Sequence, residues 1–348
     1  MNFNSLNLLR KLVETESPSH DKSAVDKVGR LVAEECRKLD AEIEMVTQSE
    51  AGDHILARWG SGPNGILLLH HMDTVFPIGT LATMPFRQDG NKTYGPGVLD
   101  MKGGIVVTLS AIRQLREANE MPACPVTALF TSDEEMGSDS SRALIEVLAR
   151  ESALVLVLEP GLVDGALKVS RKGVGEYHIK VTGRASHAGV AHEEGRNAIQ
   201  EMAHQVLAIQ SMTDYTKGTT LNVGVIKGGT ASNVVPEECQ AVVDYRVRIA
   251  IEADRVAAAM KSLKPITEGT SIVVTGGLNR PPMPEDDIMK MTFEKARQIA
   301  ASMGMSLTAG STGGGSDANF VAPLGIPVLD GLGTYGEGAH SEREYIFT

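Results

Sequence analysis

Cysteine is scarce in this chain, with 3 in 348 residues, Cys36, Cys124 and Cys239, far apart and odd in number. That excludes the disulfide framework of small secreted domains, and the three read as small buried apolar side chains. Positive charge is also in short supply: 33 Lys and Arg stand against 44 Asp and Glu, a formal charge of −11. A nucleic-acid partner, which would need a basic excess, is not expected. No apolar run approaches the roughly 18 consecutive residues of a membrane span. Residues 1–23 carry charged and polar side chains where a signal peptide needs an unbroken apolar stretch. No membrane partner and a cytoplasmic location are therefore expected.

What remains is an ordinary globular composition, 42% hydrophobic and 22% charged. The length suits about two domains. Leu6, Leu9 and Val13 recur at helical spacing, and Pro18 precedes a second helical stripe at Val25, Val28, Val32 and Leu39. Apolar runs too short for helices follow at 54–59, 66–69, 126–130 and 154–158, with helical patterns at 104–115 and 141–149 between the last three. Continuous apolar strands alternating with helices predict an α/β domain whose mixed, largely parallel sheet is covered by helices on both faces.

From Gly175 the pattern becomes alternating, with Tyr177, Ile179 and Val181 on one face of a strand. A helix over about 197–210, strands at 220–227 and 239–248, a helix at 253–263 and a strand at 271–275 complete βαββαβ, a ferredoxin-like α+β unit. After Pro281 the first texture returns, with a helix at 290–303 and a buried strand at 326–329. The expected organisation is a catalytic domain over 1–174 and 282–348, interrupted by an inserted domain over 175–281.

Active sites in α/β sheets gather at the carboxyl ends of strands. One apolar run leads into His70, His71, Met72 and Asp73, and alternation lets His71 and Asp73 point the same way. Another leads into Ser132, Asp133, Glu134 and Glu135, and a third into Glu159. Asp100 sits in a glycine-rich stretch, Gly95 to Gly104, ahead of a helix. Singly, each has a plainer explanation: a hydrogen-bonded histidine, a helix cap, or acids complementing a helix dipole. Together, acids crowded at one sheet edge would repel each other unless a cation neutralised them. Imidazole mixed with carboxylate suits Zn²⁺, or its neighbours Co²⁺ and Mn²⁺, and the lack of clustered cysteines excludes a thiolate zinc site.

These stretches resemble the M20 metallopeptidases, in the branch of the glutamate carboxypeptidases and aminoacylases. The matching segments are His70 to Val75, Tyr94 to Gly104, Ser132 to Ser138, Glu159-Pro160, Gly183 to Gly189 and Thr312 to Asp317. The resemblance implies two divalent ions: His71 and Glu159 on one, Glu135 and His340 on the other, Asp100 bridging them. It implies Asp73 as the acid that orients His71, Glu134 as general base for a water shared by the ions, and His187 of the inserted domain as donor to the oxyanion. Asn233 and Arg280 resemble residues that hold the substrate carboxylate, a task that suits a guanidinium.

The resemblance further implies a homodimer formed through the inserted domain. The substrate would be a small peptide or N-acyl amino acid, cut at an amide bond beside a free α-carboxylate. Glu rather than Asp at 159 is similar to the carboxypeptidase and deacylase members, so an N-deacylase of the acetylornithine deacetylase kind is the alternative. A non-catalytic binding module is disfavoured because the base and every proposed ligand are present. The lysine that glutamate-selective members carry after Glu159 has no clean counterpart in 166–173. The chain also stops soon after His340, where relatives continue into a further helix, so an apolar face of the catalytic domain is expected to be exposed.

Overall fold

The computed structural model describes residues 3–348. It divides into two compact units, one of residues up to 170 with 285–312 and 316–348, the other of 171–284 with 313–315. These boundaries lie a few residues outside the expected 175–281. Arg171 explains the shift: its backbone exchanges hydrogen bonds with Met283 at 2.9 and 3.0 Å. Its guanidinium donates to the carbonyls of Gly314 and Gly315, which groups those residues with the second unit.

In the first unit an eight-stranded sheet runs in the order Glu42–Val46, His54–Trp59, Val126–Thr131, Gly65–His71, Ser152–Val157, Val328–Asp330, Leu167–Arg171 and Ala309–Thr312. It is mixed, and parallel pairings join the four central strands, Val126–Thr131 through Val328–Asp330. The flanking pairings of Glu42–Val46 with His54–Trp59 and of His54–Trp59 with Val126–Thr131 are antiparallel. Strand Gly65–His71 shows why its run 66–69 is continuously apolar. Leu68 joins the core built with Leu9, Val28 and Leu109 of helices Phe3–Glu14, Lys22–Arg37 and Gly103–Ala118. Leu67 and Leu69 point to the other face and are equally buried. An apolar cavity of about 980 Å³ lies along helix Asp287–Ser302, lined by Leu154, Leu156, Ile299, Met303 and Leu329.

A second, small sheet in this unit escaped the sequence patterns because its strands have two or three residues. It runs Gly336–Glu337, Tyr345–Phe347, Lys92–Tyr94, Arg87–Asp89, all antiparallel. Its pairing of Tyr345 with Tyr94 joins segments about 250 residues apart in sequence, which matters for the site described below.

The second unit is βαββαβ, with strands Gly173–Thr182, Thr220–Gly228, Glu238–Val247 and Ser271–Arg280 and helices Ala198–Gln210 and Ala250–Lys261. The sheet order, 220–228, 238–247, 173–182, 271–280, is antiparallel throughout, the ferredoxin-like arrangement. Tyr177, Ile179 and Val181 face a core shared with Met202 and Val256 of the two helices, while Glu176, His178 and Lys180 between them are exposed. Among the described residues no helix is long and apolar enough to cross a membrane.

Two of the three cysteines are buried as expected, but Cys124, just before strand Val126–Thr131, is only half-buried. Burial pushes the Cys36 thiol up to about 12 and raises that of Cys239. A thiol reagent at neutral pH should therefore label native protein at Cys124 alone and denatured protein at all three sites. Mass spectrometry counts the labels, and rapid native modification of Cys36 would contradict the packing.

Candidate metal centre and active site

Because the central strands are parallel, their carboxyl ends open on the same edge of the sheet. Strand Gly65–His71 ends there in His71, strand Val126–Thr131 leads to the short turn Glu134–Met136, and strand Ser152–Val157 leads to Glu159. Asp100 comes from the loop between strand Lys92–Tyr94 and helix Gly103–Ala118. His340 comes from the loop between Gly336–Glu337 and Tyr345–Phe347. The small sheet therefore carries Asp100 and His340 on neighbouring loops.

The glycines of 95–104 let the Asp100 loop pack closely. Gly97 has a φ of 70°, and a Cβ on it would come 2.6 Å from the Thr74 methyl; one on Gly104 would come 2.1 Å from the Leu158 carbonyl. His340 adopts the same left-handed region, at a φ of 61°, which few non-glycine residues occupy.

The Asp100 carboxylate stands between two imidazoles, one oxygen towards each. Its Oδ1 is 3.1 Å from His71 Nε2, and its Oδ2 is 3.3 Å from His340 Nε2. His71 Nε2 also lies 3.5 Å from Glu159 Oε1, and His340 Nε2 lies 3.1 Å from Glu135 Oε1. Potential donor atoms of His71, Glu134 and Glu159 are within 4.8 Å of one another, as are those of His71, Asp100 and Glu135. Two donors on one tetrahedral ion, each at about 2.0–2.2 Å from it, stand roughly 3.3–3.6 Å apart. The imidazole-to-carboxylate separations fall in or just below that range. Glu135 Oε1 is moreover buried without a hydrogen-bond partner despite its nearness to His340, as for donors aimed at a common point. The donor set fits a pair of divalent cations sharing Asp100.

In the protein alone, protons on the two imidazoles offset part of the negative charge. Burial disfavours the imidazolium of His71, yet Asp100 and Asp73 outweigh it and hold its pKa well above the ordinary value. Asp100 and Glu135 raise His340 to about 11. Burial pushes Asp100 up, but the two histidines pull it far below the usual carboxylate range. Glu135 moves the other way, raised by burial with His340 opposing. A cation binding here must displace those imidazole protons.

A family model described as peptidase family M20/M25/M40 matches residues 67–347, a span containing every group just described. The chain belongs to this family. It is a hydrolytic enzyme, a metallopeptidase of the M20 type. Carboxypeptidase G2 of Pseudomonas sp. (strain RS-16) is 36% identical over 97% of this chain and 83% of its own. Acetylornithine deacetylase of Klebsiella pneumoniae (strain 342) is 28% identical over 80% of this chain and 77% of its own. Among solved structures, the M20 family metallo-carboxypeptidase Sso-CP2 of Sulfolobus solfataricus superposes with a TM-score of 0.77 at 17% identity, covering 100% of this chain and 95% of that one.

Within this M20 chain the two adjacent histidines are separated by strand alternation. His70 turns into the core, stacks on Phe130 at 4.6 Å and meets Thr108 Oγ1 at 2.8 Å. Burial brings its pKa down to about 3, so it stays neutral. Asp73, fully buried, does more than its expected part beside His71. Its Oδ1 is 3.5 Å from His71 Nδ1, and its backbone carbonyl is 3.0 Å from the same nitrogen. Its carboxylate also accepts from Ser19 Oγ at 2.8 Å and from the backbone N–H groups of Glu134 and Glu135 at 3.3 and 3.2 Å. One buried acid thus orients an imidazole and fixes the turn that carries two further acids. Asp133 secures that turn from below, accepting from Ser140 N and Oγ at 2.7 Å.

The remaining candidates belong to the second unit. His187, exposed, lies on the two-residue strand Ser186–His187, and its Nδ1 accepts from Gly189 N at 3.1 Å. Asn233, also exposed, leads into the paired strand Val234–Val235, and its carbonyl accepts from Ala188 N at 2.9 Å. The structure brings those two together. Arg280 ends strand Ser271–Arg280 and is 4% exposed, so it is no solvated loop arginine.

Asp73→Ala is expected to destabilise the metal-free protein by about 3 kcal/mol, because it strands buried N–H groups and a buried imidazolium. The Asp73 pKa is lowered: burial opposes ionisation, but His71, Ser19 and the Glu135 N–H outweigh it. Its contribution is therefore present above the ordinary value of 3.8 and lost as pH falls through the lower folded value. Urea unfolding of both proteins should show the gap at pH 7 and its narrowing in acid; equal stabilities at pH 7 would refute the anchoring role.

Proposed function

We propose that this chain hydrolyses a peptide or N-acyl amide bond adjacent to a free α-carboxylate, in the manner of a glutamate carboxypeptidase. The observation that carries this is the division of the Asp100 carboxylate between His71 and His340, with Glu134 beside the His71–Glu159 pair. Two divalent ions, Zn²⁺ or in its place Co²⁺ or Mn²⁺, held by His71 and Glu159, by Glu135 and His340, and by Asp100 between them, would polarise the scissile carbonyl and make water more acidic. Glu134 accepts the water proton and returns it to the departing nitrogen, since an amine leaves poorly as an anion. Asp73 keeps the Nδ1 side of His71 engaged so that Nε2 faces the ion. His187 as oxyanion donor, with Asn233 and Arg280 as holders of the substrate carboxylate, completes the proposal; these three roles rest on the resemblance.

The alternative is N-deacylation of an acylated amino acid, supported by the 28% identity to an acetylornithine deacetylase. The 36% identity to carboxypeptidase G2 favours the carboxypeptidase. Zinc-, cobalt- and manganese-loaded protein should release glutamate or another amino acid from peptidyl or pteroyl conjugates faster than it cleaves N-acetylornithine, and the reverse order would favour deacylation. Glu134→Gln should keep its metal by elemental analysis and lose about 10²–10⁴-fold in kcat. Unchanged turnover would remove Glu134 from the role of base.

Homodimerisation through the second unit belongs to the same proposal. Strand Thr220–Gly228 is an edge of its sheet and exposes Val225 and Ile226, an unpaired ladder flanked by apolar side chains. Sedimentation should give twice the mass of one chain, falling to one chain in Ile226→Lys. A wild-type monomer would discard the dimer.

A further inference from the structure

Glu344 is absent from the candidate ligands, yet it is 0% exposed in the unit that holds them. Its carboxylate is filled by backbone donors from a single loop. Oε1 accepts from Leu99 N at 2.7 Å and from Asp100 N at 3.0 Å, and Oε2 accepts from Gly97 N at 3.1 Å. Three N–H groups turned to one side of a tight loop form an anion-holding concavity, and the left-handed Gly97 helps to make it. The carboxyl group in it comes from a residue 244 positions later in the chain. Glu344 is four residues beyond His340 and precedes Tyr345, which pairs with Tyr94 at the start of the same loop. One carboxylate thus fastens the segment bearing His340 to the loop bearing Asp100, at the peptide N–H of Asp100 itself.

We propose that Glu344 is a positioning residue for the bridging carboxylate. It sets the Asp100 backbone so that Oδ1 and Oδ2 are delivered to His71 and His340 together, and it makes filling of both cation sites depend on the 338–345 segment. The proposal rests on the two-metal centre described above. A carboxylate suits the task because it offers lone pairs to all three N–H groups. An amide in its place presents its NH₂ to at least one of them, which turns that contact from attractive to repulsive. Such a change moves the Asp100 loop without touching any ligand atom.

The test is Co²⁺ titration of chelator-treated full-length protein, followed by calorimetry and visible absorption, for wild type and Glu344→Gln. Wild type should take up two Co²⁺ per chain. Glu344→Gln should bind Co²⁺ about 10–100-fold more weakly, the usual effect of removing a group that supports a metal ligand, and its cobalt absorption bands should shift. The rise in melting temperature on adding Co²⁺ should shrink with it. If Glu344→Gln lowers the melting temperature of the metal-free protein but keeps wild-type affinity and bands, Glu344 is structural only and the proposal is overturned. Should Glu344→Gln fail to fold, Glu344→Asp, which keeps the charge on a shorter arm, is titrated in the same way. Failure of both to fold would also assign Glu344 a structural role and overturn the proposal. Wild type that binds no Co²⁺ would instead overturn the two-metal centre.

Discussion

Carboxylate repulsion governs this molecule. Asp73, Asp100, Glu134, Glu135 and Glu159 are gathered at one sheet edge around His71 and His340, the two imidazoles that lie nearest them, with Asp73 and Glu159 buried. Such a cluster is tolerable where protons or cations sit between the groups, and the raised pKa of both imidazoles shows the proton solution. Divalent ions in place of the protons would neutralise more of this charge and would supply Lewis acidity towards an amide carbonyl. The formal charge of −11 therefore overstates how negative a metal-loaded cleft would be, and an anionic substrate is compatible with it.

Holding the acids together takes anchors of two kinds. Asp73 gathers the turn of Glu134 and Glu135 through their backbone N–H groups, and Glu344 gathers the Asp100 loop in the same manner. In each case a buried carboxylate that binds backbone sets the place of others that face the site. Backbone amides suit this work because they give an acid favourable partners without adding a competing positive side chain to the centre.

Much of this was legible in the chain. Apolar runs of strand length ending in His71, in Glu134 and Glu135, and in Glu159 predict a polar strand edge, and the sheet places those ends together. The alternation at Tyr177, Ile179 and Val181 predicts the one-sided sheet of the second unit. Less legible were features built from few residues or from distant ones. The strands of the small sheet are too short to show a period. Cys124 looks like its two buried counterparts in sequence, but it sits just ahead of its strand and is half-exposed. Of the candidate ligands, His340 has no strand or helix pattern to announce it, and only resemblance to a family singled it out. Glu344 had no signal beyond being an acid near that histidine.

By itself, the sequence determined the alternation of strands and helices, the inserted ferredoxin-like unit and the chemical type of the site. These follow from side-chain periodicity and from which residues end each strand, and both are local. Tertiary structure alone decided that Asp100 shares its two oxygens between His71 and His340, that His70 turns away into the core, and that Asp73 and Glu344 hold their neighbours by the backbone. The physical reason is that a ligand bridge and a buried hydrogen bond depend on distances of about 3 Å. Here those distances are set between segments up to about 250 residues apart, by strand pairings such as that of Tyr345 with Tyr94.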